Sequence, residues 1–171
     1  ESGLDLEDIE LHLQSCEVKL LEGYKGTDVK TISSKELFTC DVDVIIPAAL
    51  ENQITEDIAK EIKAKVIVEG ANGPTTVEAD KILSSRNVVI VPDILANSGG
   101  VIVSYFEWVQ NLQSFMWDEE EVNQSLEKIM RKSFNNVWNK AAEKNTTLRM
   151  GAYMVAIERL AATKKIRGIF P

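Results

Sequence analysis

Two asparagines lie in short polar loops, each directly after a run of β-branched apolar residues. Asn72 follows Val66–Val68, and Asn97 follows residues 88–91. An amide side chain both donates and accepts hydrogen bonds, so it can pair with another amide group. Loops at strand ends are the places where open α/β sheets bind ligands. The two asparagines are therefore candidate ligand-binding groups.

Small residues accompany these loops. A third apolar run, residues 42–46, precedes the other two and leads to Ala48 and Ala49. The later loops contain Gly70, Gly73, Gly99 and Gly100. Small residues allow the backbone to approach a flat ring closely. Three such loops at one edge of a sheet predict one wall of a cofactor cleft.

The elements that position these loops alternate between strands and helices. Thr55 precedes a helix between the first two strands, and residues 76–83 predict a second helix, with Val77, Ile82 and Leu83 facing inward. Val and Ile on both faces of the strands suit a sheet that is covered on both sides. The alternation predicts an α/β fold with a parallel sheet and right-handed crossovers.

The flanking segments are predicted to be mainly helical. An opening helix, a short edge strand at residues 29–32 and a serine-capped helix from Ser34 precede the sheet. A helix over residues 101–112 follows it. Asp118 and Glu121 then resemble a capping box before a long amphipathic stripe, and a last helix follows from Met150. We interpret the apolar stripes as core packing.

Composition excludes several classes of function. The chain has 171 residues and a net charge of −8, which argues against nucleic acid or an anionic membrane as the main partner. It lacks an apolar run of the roughly 20 residues that span a bilayer, and its start does not resemble a signal peptide. Cys16, Cys40 and His12 do not form a zinc motif, so we expect no metal site. We expect both cysteines to be packing thiols in a cytoplasmic protein.

The glycine pattern indicates half of a nucleotide-binding fold. A dinucleotide-binding domain ordinarily opens with G-x-G-x-x-G between a strand and a helix. This sequence contains no G-x-G, and the spacing of Gly70 and Gly73 does not suit a pyrophosphate loop. The sequence therefore predicts the nicotinamide side of such a fold without its adenosine and phosphate side.

Four segments together resemble a known family. They are residues 41–52 (DVDVIIPAALEN), 69–76 (EGANGPTT), 92–101 (PDILANSGGV) with 104–108 (SYFEW), and 152–159 (AYMVAIER). In this order they resemble the carboxy-terminal part of the glutamate dehydrogenases, within the glutamate/leucine/phenylalanine/valine dehydrogenase family. Ser98 is a minor departure, because alanine is commoner there.

The resemblance implies a fold and a reaction. The fold is the second half of a Rossmann-like parallel sheet followed by a C-terminal helical extension, with a partial NAD(P)-binding domain at residues 1–116 and helices packed on it at 117–171. The reaction is the oxidative deamination of L-glutamate to 2-oxoglutarate and ammonia with NAD or NADP. The family also implies a homo-oligomer.

The resemblance assigns five residues to the cofactor. Asn72 would bond the nicotinamide carboxamide, and the backbone around Ala48, Ala49 and Gly70 would line the nicotinamide ribose. Asn97 would lie between cofactor and substrate. On the residues alone, Asn72 and Asn97 could instead satisfy hydrogen bonds within their own loops.

The resemblance assigns two further residues to the substrate. Val101 would contact the methylene groups of glutamate, and Ser104 would hydrogen-bond its distant carboxylate. The start of their helix after Gly99 would add free N–H groups and a positive dipole end. On the residues alone, Ser104 could equally be a surface serine, and Asp93 a helix cap.

The chain offers no catalytic residue of its own by this resemblance. In the family, the lysine and aspartate that transfer protons lie on an amino-terminal domain, so we expect this chain alone to be inactive. Two alternatives remain open. One is a nucleotide- or metabolite-binding module without turnover, and the other is an assembly module that uses the unpaired edge of strand 42–46.

Overall fold

A computed structural model describes residues 3–18, 20–27 and 29–168. The chain divides into two compact units, residues 1–37 and 38–171. In the first unit, helix α1 (Leu6–Ser15) is capped by Asp5, whose carboxylate accepts from the backbone N–H groups of Glu7 and Asp8. The Tyr24 hydroxyl donates to Asp8 at 2.7 Å, and this hydrogen bond raises the pKa of Tyr24 to about 12.

The short helix α2 (Ser34–Phe38) forms as predicted, but Ser33 is its capping serine. The Ser33 hydroxyl accepts from the Glu36 N–H at 3.2 Å, and the Glu36 carboxylate accepts from the Ser33 N–H at 2.8 Å. The edge strand predicted at residues 29–32 was wrong, because this described segment pairs with no strand. A strand needs a neighbouring ladder for its backbone groups, and its composition alone does not supply one.

The sheet has three parallel strands in the order β1-β2-β3. They are β1 (Val44–Ile45), β2 (Val66–Val68) and β3 (Val89–Val91), and Val66 of the central strand is in register with Val44 and Val89. Because all three strands run the same way, their carboxyl ends meet at one edge. The predicted α/β class with a parallel sheet is confirmed.

Two helices connect the strands. They are α3 (Glu56–Glu61) and α4 (Val77–Ser85), and their inner faces complete a core of fully buried side chains that includes Ile54, Ala59, Ile62, Ile67 and Leu83. The inward orientation predicted for Val77 was wrong, since this side chain is 66% exposed. The buried face of α4 follows Ala79 and Leu83, four residues apart, and a residue two positions before Ala79 lies on another face.

The rest of the chain is helical. Its elements are α5 (Asp93–Ala96), α6 (Gly99–Gln113), α7 (Glu119–Lys144) and α8 (Leu148–Arg167). The capping box of Asp118 and Glu121 is confirmed by reciprocal bonds of 2.8 and 3.0 Å. Helix α5 occupies a stretch that the sequence predicted as loop. A second core joins α5, α7 and α8 through Leu95, Val137, Ala141, Leu148 and Ala152.

Residues 38–171 thus carry both the sheet and the helical extension. The domain limits of 1–116 and 117–171 stay a prediction. Among the described residues, no helix is both long enough and apolar enough to cross a bilayer. Within the same residues, Cys16 and Cys40 form no disulfide.

We expect the isolated chain to self-associate. Strand β1 is at the edge of the sheet, and the side chains of Val44 and Ile46 are 49% and 63% exposed. An open edge with apolar side chains is a template for another strand. Light scattering measures the outcome, and Val44→Lys, which places a charge on this edge, should reduce the association. A monodisperse monomer of the unsubstituted chain would contradict the expectation.

Candidate functional site

The loops after β1 and β2 are in direct contact at the carboxyl edge of the sheet. The Ala71 N–H donates to the Pro47 carbonyl at 2.8 Å. A Cβ atom added to Gly70 would be 3.1 Å from the Cβ of Ala48, a closer approach than side chains ordinarily make. Glycine at position 70 therefore allows the second loop to lie against the first and leaves its own backbone exposed.

The loops after β2 and β3 are joined by the two predicted asparagines. The Asn97 amide nitrogen donates to the Asn72 side-chain oxygen at 2.6 Å and to the Gly70 carbonyl at 3.3 Å. Asn97 follows the last residue of α5, while Asn72 is exposed in the loop after β2. We call these two side chains the amide pair. The structure thus brings Ala48, Gly70, Asn72 and Asn97 together.

The amide pair presents one donor and one acceptor. Within the described residues, the Asn72 amide nitrogen and the Asn97 amide oxygen have no hydrogen-bond partner. A ligand carboxamide carries the complementary acceptor and donor. Both atoms are therefore available to a ligand while the bond between the asparagines is kept.

The remaining predicted residues are Ala49, in the loop after β1, and Val101 and Ser104, on α6. Ala49 is exposed next to Ala48, and Val101 and Ser104 lie three residues apart on α6, where they share a face. Val101 is 75% exposed. In the part of the chain that the structure describes, the Ser104 side chain makes no bond to the amide pair. Helix α6 starts directly after Ser98, whose side chain does not cap it.

A partly buried ionic cluster joins the loops after β2 and β3 to α4 and α8, and the sequence did not point to it. Glu69 is fully buried, and its carboxylate accepts from the Asp93 backbone N–H and from Arg149, both at 2.8 Å. Arg149 also contacts Asp80 at 3.1 Å and Asp93 at 3.3 Å. We call these four side chains, Glu69, Asp80, Asp93 and Arg149, the arginine network.

The arginine network keeps its cation charged. Burial by itself would lower the pKa of Arg149, but the hydrogen bond and charge of Glu69 and the charge of Asp80 outweigh it and raise the pKa above its ordinary value. Among the described residues, no cluster of acidic, histidine or cysteine side chains is arranged to hold a metal ion.

A cavity of about 750 Å³ lies next to the arginine network. Asp80 and Arg149 contribute to its wall, together with Trp138 and the turn between α7 and α8. None of the seven predicted site residues lines it. We place the candidate site at the carboxyl edge rather than in this cavity, because the predicted polar groups converge there.

A parallel sheet with a ligand-type site at its carboxyl edge defines a Rossmann-like α/β protein. The sequence model of the glutamate/leucine/phenylalanine/valine dehydrogenase family matches residues 1–168, and the chain belongs to this family. The expected resemblance is confirmed.

Individual relatives agree with this assignment. The chain is 54% identical over 138 residues to the cryptic catabolic NAD-specific glutamate dehydrogenase GudB of Bacillus subtilis, covering 81% of this chain and 32% of that protein. It is 56% identical over 140 residues to a glutamate dehydrogenase of Thermotoga maritima, covering 82% and 34%. The chain therefore spans about a third of the length of these curated relatives.

Solved structures show the same fold. The chain superimposes on glutamate dehydrogenase from Peptoniphilus asaccharolyticus with a TM-score of 0.79 at 39% identity, covering 99% of this chain and 37% of that one. For the leucine-bound hetero-hexameric glutamate dehydrogenase from Thermus thermophilus, the TM-score is 0.86 at 31% identity, with coverages of 99% and 39%.

Proposed function

We propose that this chain supplies the nicotinamide side of the coenzyme site in an NAD-dependent glutamate dehydrogenase. The amide pair is the observation that carries the proposal, because its free donor and acceptor complement a carboxamide. Relatives in Bacillus subtilis and Staphylococcus aureus are named NAD-specific, which supports NAD. NADP stays open, since the strand that selects between the two cofactors has no counterpart among these residues.

The residues at the carboxyl edge fit the cofactor. Asn72 would bond the carboxamide, with Asn97 next to it on the substrate side. The exposed backbone at Ala48, Ala49 and Gly70 would lie along the ribose. Bound there, the nicotinamide would accept a hydride from the substrate carbon.

The start of α6 fits an anionic amino acid. Val101 would contact the methylene groups of L-glutamate, and the Ser104 hydroxyl would donate to its distant carboxylate. Both side chains are exposed and share a face. The uncapped amino terminus of this 15-residue helix adds a favourable dipole for a carboxylate.

The carboxylates near the site are poorly placed to transfer protons. Both oxygens of Glu69 accept hydrogen bonds, and Asp93 accepts from the N–H groups of Gly73 and Ile94 as well as from Arg149. A general base needs a free lone pair within reach of substrate. This supports the expectation that the catalytic acid and base lie outside the chain.

A hybrid enzyme tests the proposed function. In it, this chain replaces the matching segment of the Thermotoga maritima glutamate dehydrogenase, to which it is 56% identical. We expect the hybrid to reduce NAD+ in the presence of L-glutamate, and we expect the 171-residue chain alone to be inactive. A folded hybrid that reduces no NAD+ would contradict the proposal, as would turnover by the chain alone.

The binding-module alternative makes a different prediction. A module that holds the nucleotide without turnover would bind NADH as the isolated chain, which NADH fluorescence detects. Under the dehydrogenase proposal, half a site binds weakly, because the adenosine and phosphate contacts come from elsewhere. A homo-oligomeric state is also part of the proposal, and the cytoplasmic location stays a prediction.

A further inference from the structure

We propose that Arg149 is a positioning residue that sets the geometry of the amide pair through Glu69 and Asp93. The geometric part of this inference stands on the contacts of this chain. Its kinetic consequence rests on the proposed function.

The loops after β2 and β3 hold each other through a reciprocal pair of bonds. Glu69, from the β2 end, accepts the backbone N–H of Asp93 at 2.8 Å. Asp93, from the β3 end, accepts the backbone N–H of Gly73 at 2.8 Å. Each loop therefore gives one carboxylate and one N–H to the other. The relative position of the loops depends on how these two carboxylates are oriented.

Arg149 binds the other oxygen of each of these carboxylates. Its guanidinium donates to Glu69 Oε1 at 2.8 Å and to Asp93 Oδ1 at 3.3 Å, whereas the bonds between the loops use Oε2 and Oδ2. A third nitrogen, Nε, donates to Asp80 on α4. A planar guanidinium fixes the directions of all three bonds, which a lysine ammonium cannot do.

Helix stability does not explain an arginine at this position. Arg149 is in the first turn of α8, where a cation opposes the helix dipole, and that turn contains no acidic residue. Its side chain is 22% exposed, so it also loses hydration. The three carboxylates offset both costs, which points to the network as the reason for the arginine.

Short backbone segments connect the carboxylates of Glu69 and Asp93 to the amide pair. Gly73 directly follows Asn72 and has a φ of +54°, which fixes the end of that loop. Asp93 begins α5, and its carbonyl accepts from the Asn97 N–H at 3.1 Å. A rotation of either carboxylate therefore moves an asparagine. The 2.6 Å bond between the asparagines tolerates little such movement.

The first test uses ¹H–¹⁵N NMR of the full chain. We expect Arg149→Met to shift or broaden the side-chain amide signals of Asn72 and Asn97 and the backbone signal of Gly73. Arg149→Lys should give a smaller change in the same signals. The matched control is Arg131→Met, which removes an exposed ion pair with Glu127 and should leave the amide pair unchanged. Unchanged amide-pair signals in a folded Arg149→Lys variant would overturn the inference.

The second test uses kinetics of the hybrid enzyme. Arg149→Met should raise KM for NAD+ about tenfold and change KM for glutamate by less than about twofold, with partial recovery in Arg149→Lys. A purely structural arginine would lower the yield of folded hybrid without this selective change in KM. Unaltered constants in an active Arg149→Met hybrid would overturn the inference. An inactive unsubstituted hybrid would count against the proposed function, and the NMR result would then decide the inference.

Discussion

Replacement of Asn72 by aspartate is expected to lower kcat/KM for NAD+ in the hybrid enzyme about 100-fold, or about 2.7 kcal/mol of transition-state stabilisation. The substitution keeps the size of the side chain and the oxygen that accepts from Asn97 at 2.6 Å. It replaces the free amide donor by an acceptor. A carboxylate cannot donate to the carbonyl of a carboxamide and repels it instead.

Two variants separate the lost donor from other causes. Asn72→Ala removes the amide without adding a charge and should cause a loss of similar size. Asn123→Asp makes the same chemical change at an exposed position of α7 and should leave the constants unaltered. Steady-state kinetics with varied NAD+ gives the comparison. If Asn72→Asp retained full kcat/KM, the amide pair would serve only the loops themselves, as the sequence alone also allowed.

The sheet was predictable because its strands carry a strong local signal. Val66–Val68 and residues 88–91 are continuous β-branched runs, the first bounded by Lys65 and Glu69 and the second by Asn87 and Pro92. Such runs suit strands that are covered on both faces, and the helical spacing between them required parallel crossovers. The capping box at Asp118 was equally local, since its two partners are three residues apart.

The wrong predictions depended on information beyond the local sequence. Residues 29–32 contain strand-forming types, yet a strand exists only when another strand pairs with it. Val77 was assigned inward because it is apolar, but the buried face of α4 is set by Ala79 and Leu83. An isolated valine at a helix start carries no information about that face.

Only the exposed part of the site, the amide pair, was predictable from the sequence. The amide pair followed from the strand-end positions of Asn72 and Asn97. The arginine network did not, because Glu69 and Arg149 are 80 residues apart and pair only in the folded chain. Two signals were present. A carboxylate directly after an all-apolar strand requires a partner, and an arginine in a first helical turn without acidic neighbours opposes the helix dipole.

Gly151→Val is expected to lower the stability of the chain by about 3 kcal/mol, or about 6–12 °C in Tm. A Cβ atom at position 151 would be 2.9 Å from the Val137 carbonyl oxygen and 3.0 Å from the Ala141 Cβ. The carbonyl and the nearby Ala141 N–H belong to the backbone of α7, so they cannot rotate away as a flexible side chain would. Helix α8 would have to separate from α7.

A pair of alanine variants isolates this clash from helix propensity. Alanine favours a helix over glycine by about 1 kcal/mol, so Gly100→Ala, where a Cβ meets no atom within 4 Å, should be neutral or stabilising. Gly151→Ala gains the same helix propensity but should still destabilise the chain, because the free-energy cost of the clash with α7 exceeds that gain. Thermal unfolding followed by circular dichroism gives both values, and a stabilising Gly151→Ala would contradict the packing argument. Because Gly151 is two residues from Arg149, a displaced α8 should also disturb the amide pair, whereas Gly100→Ala should leave the arginine network intact.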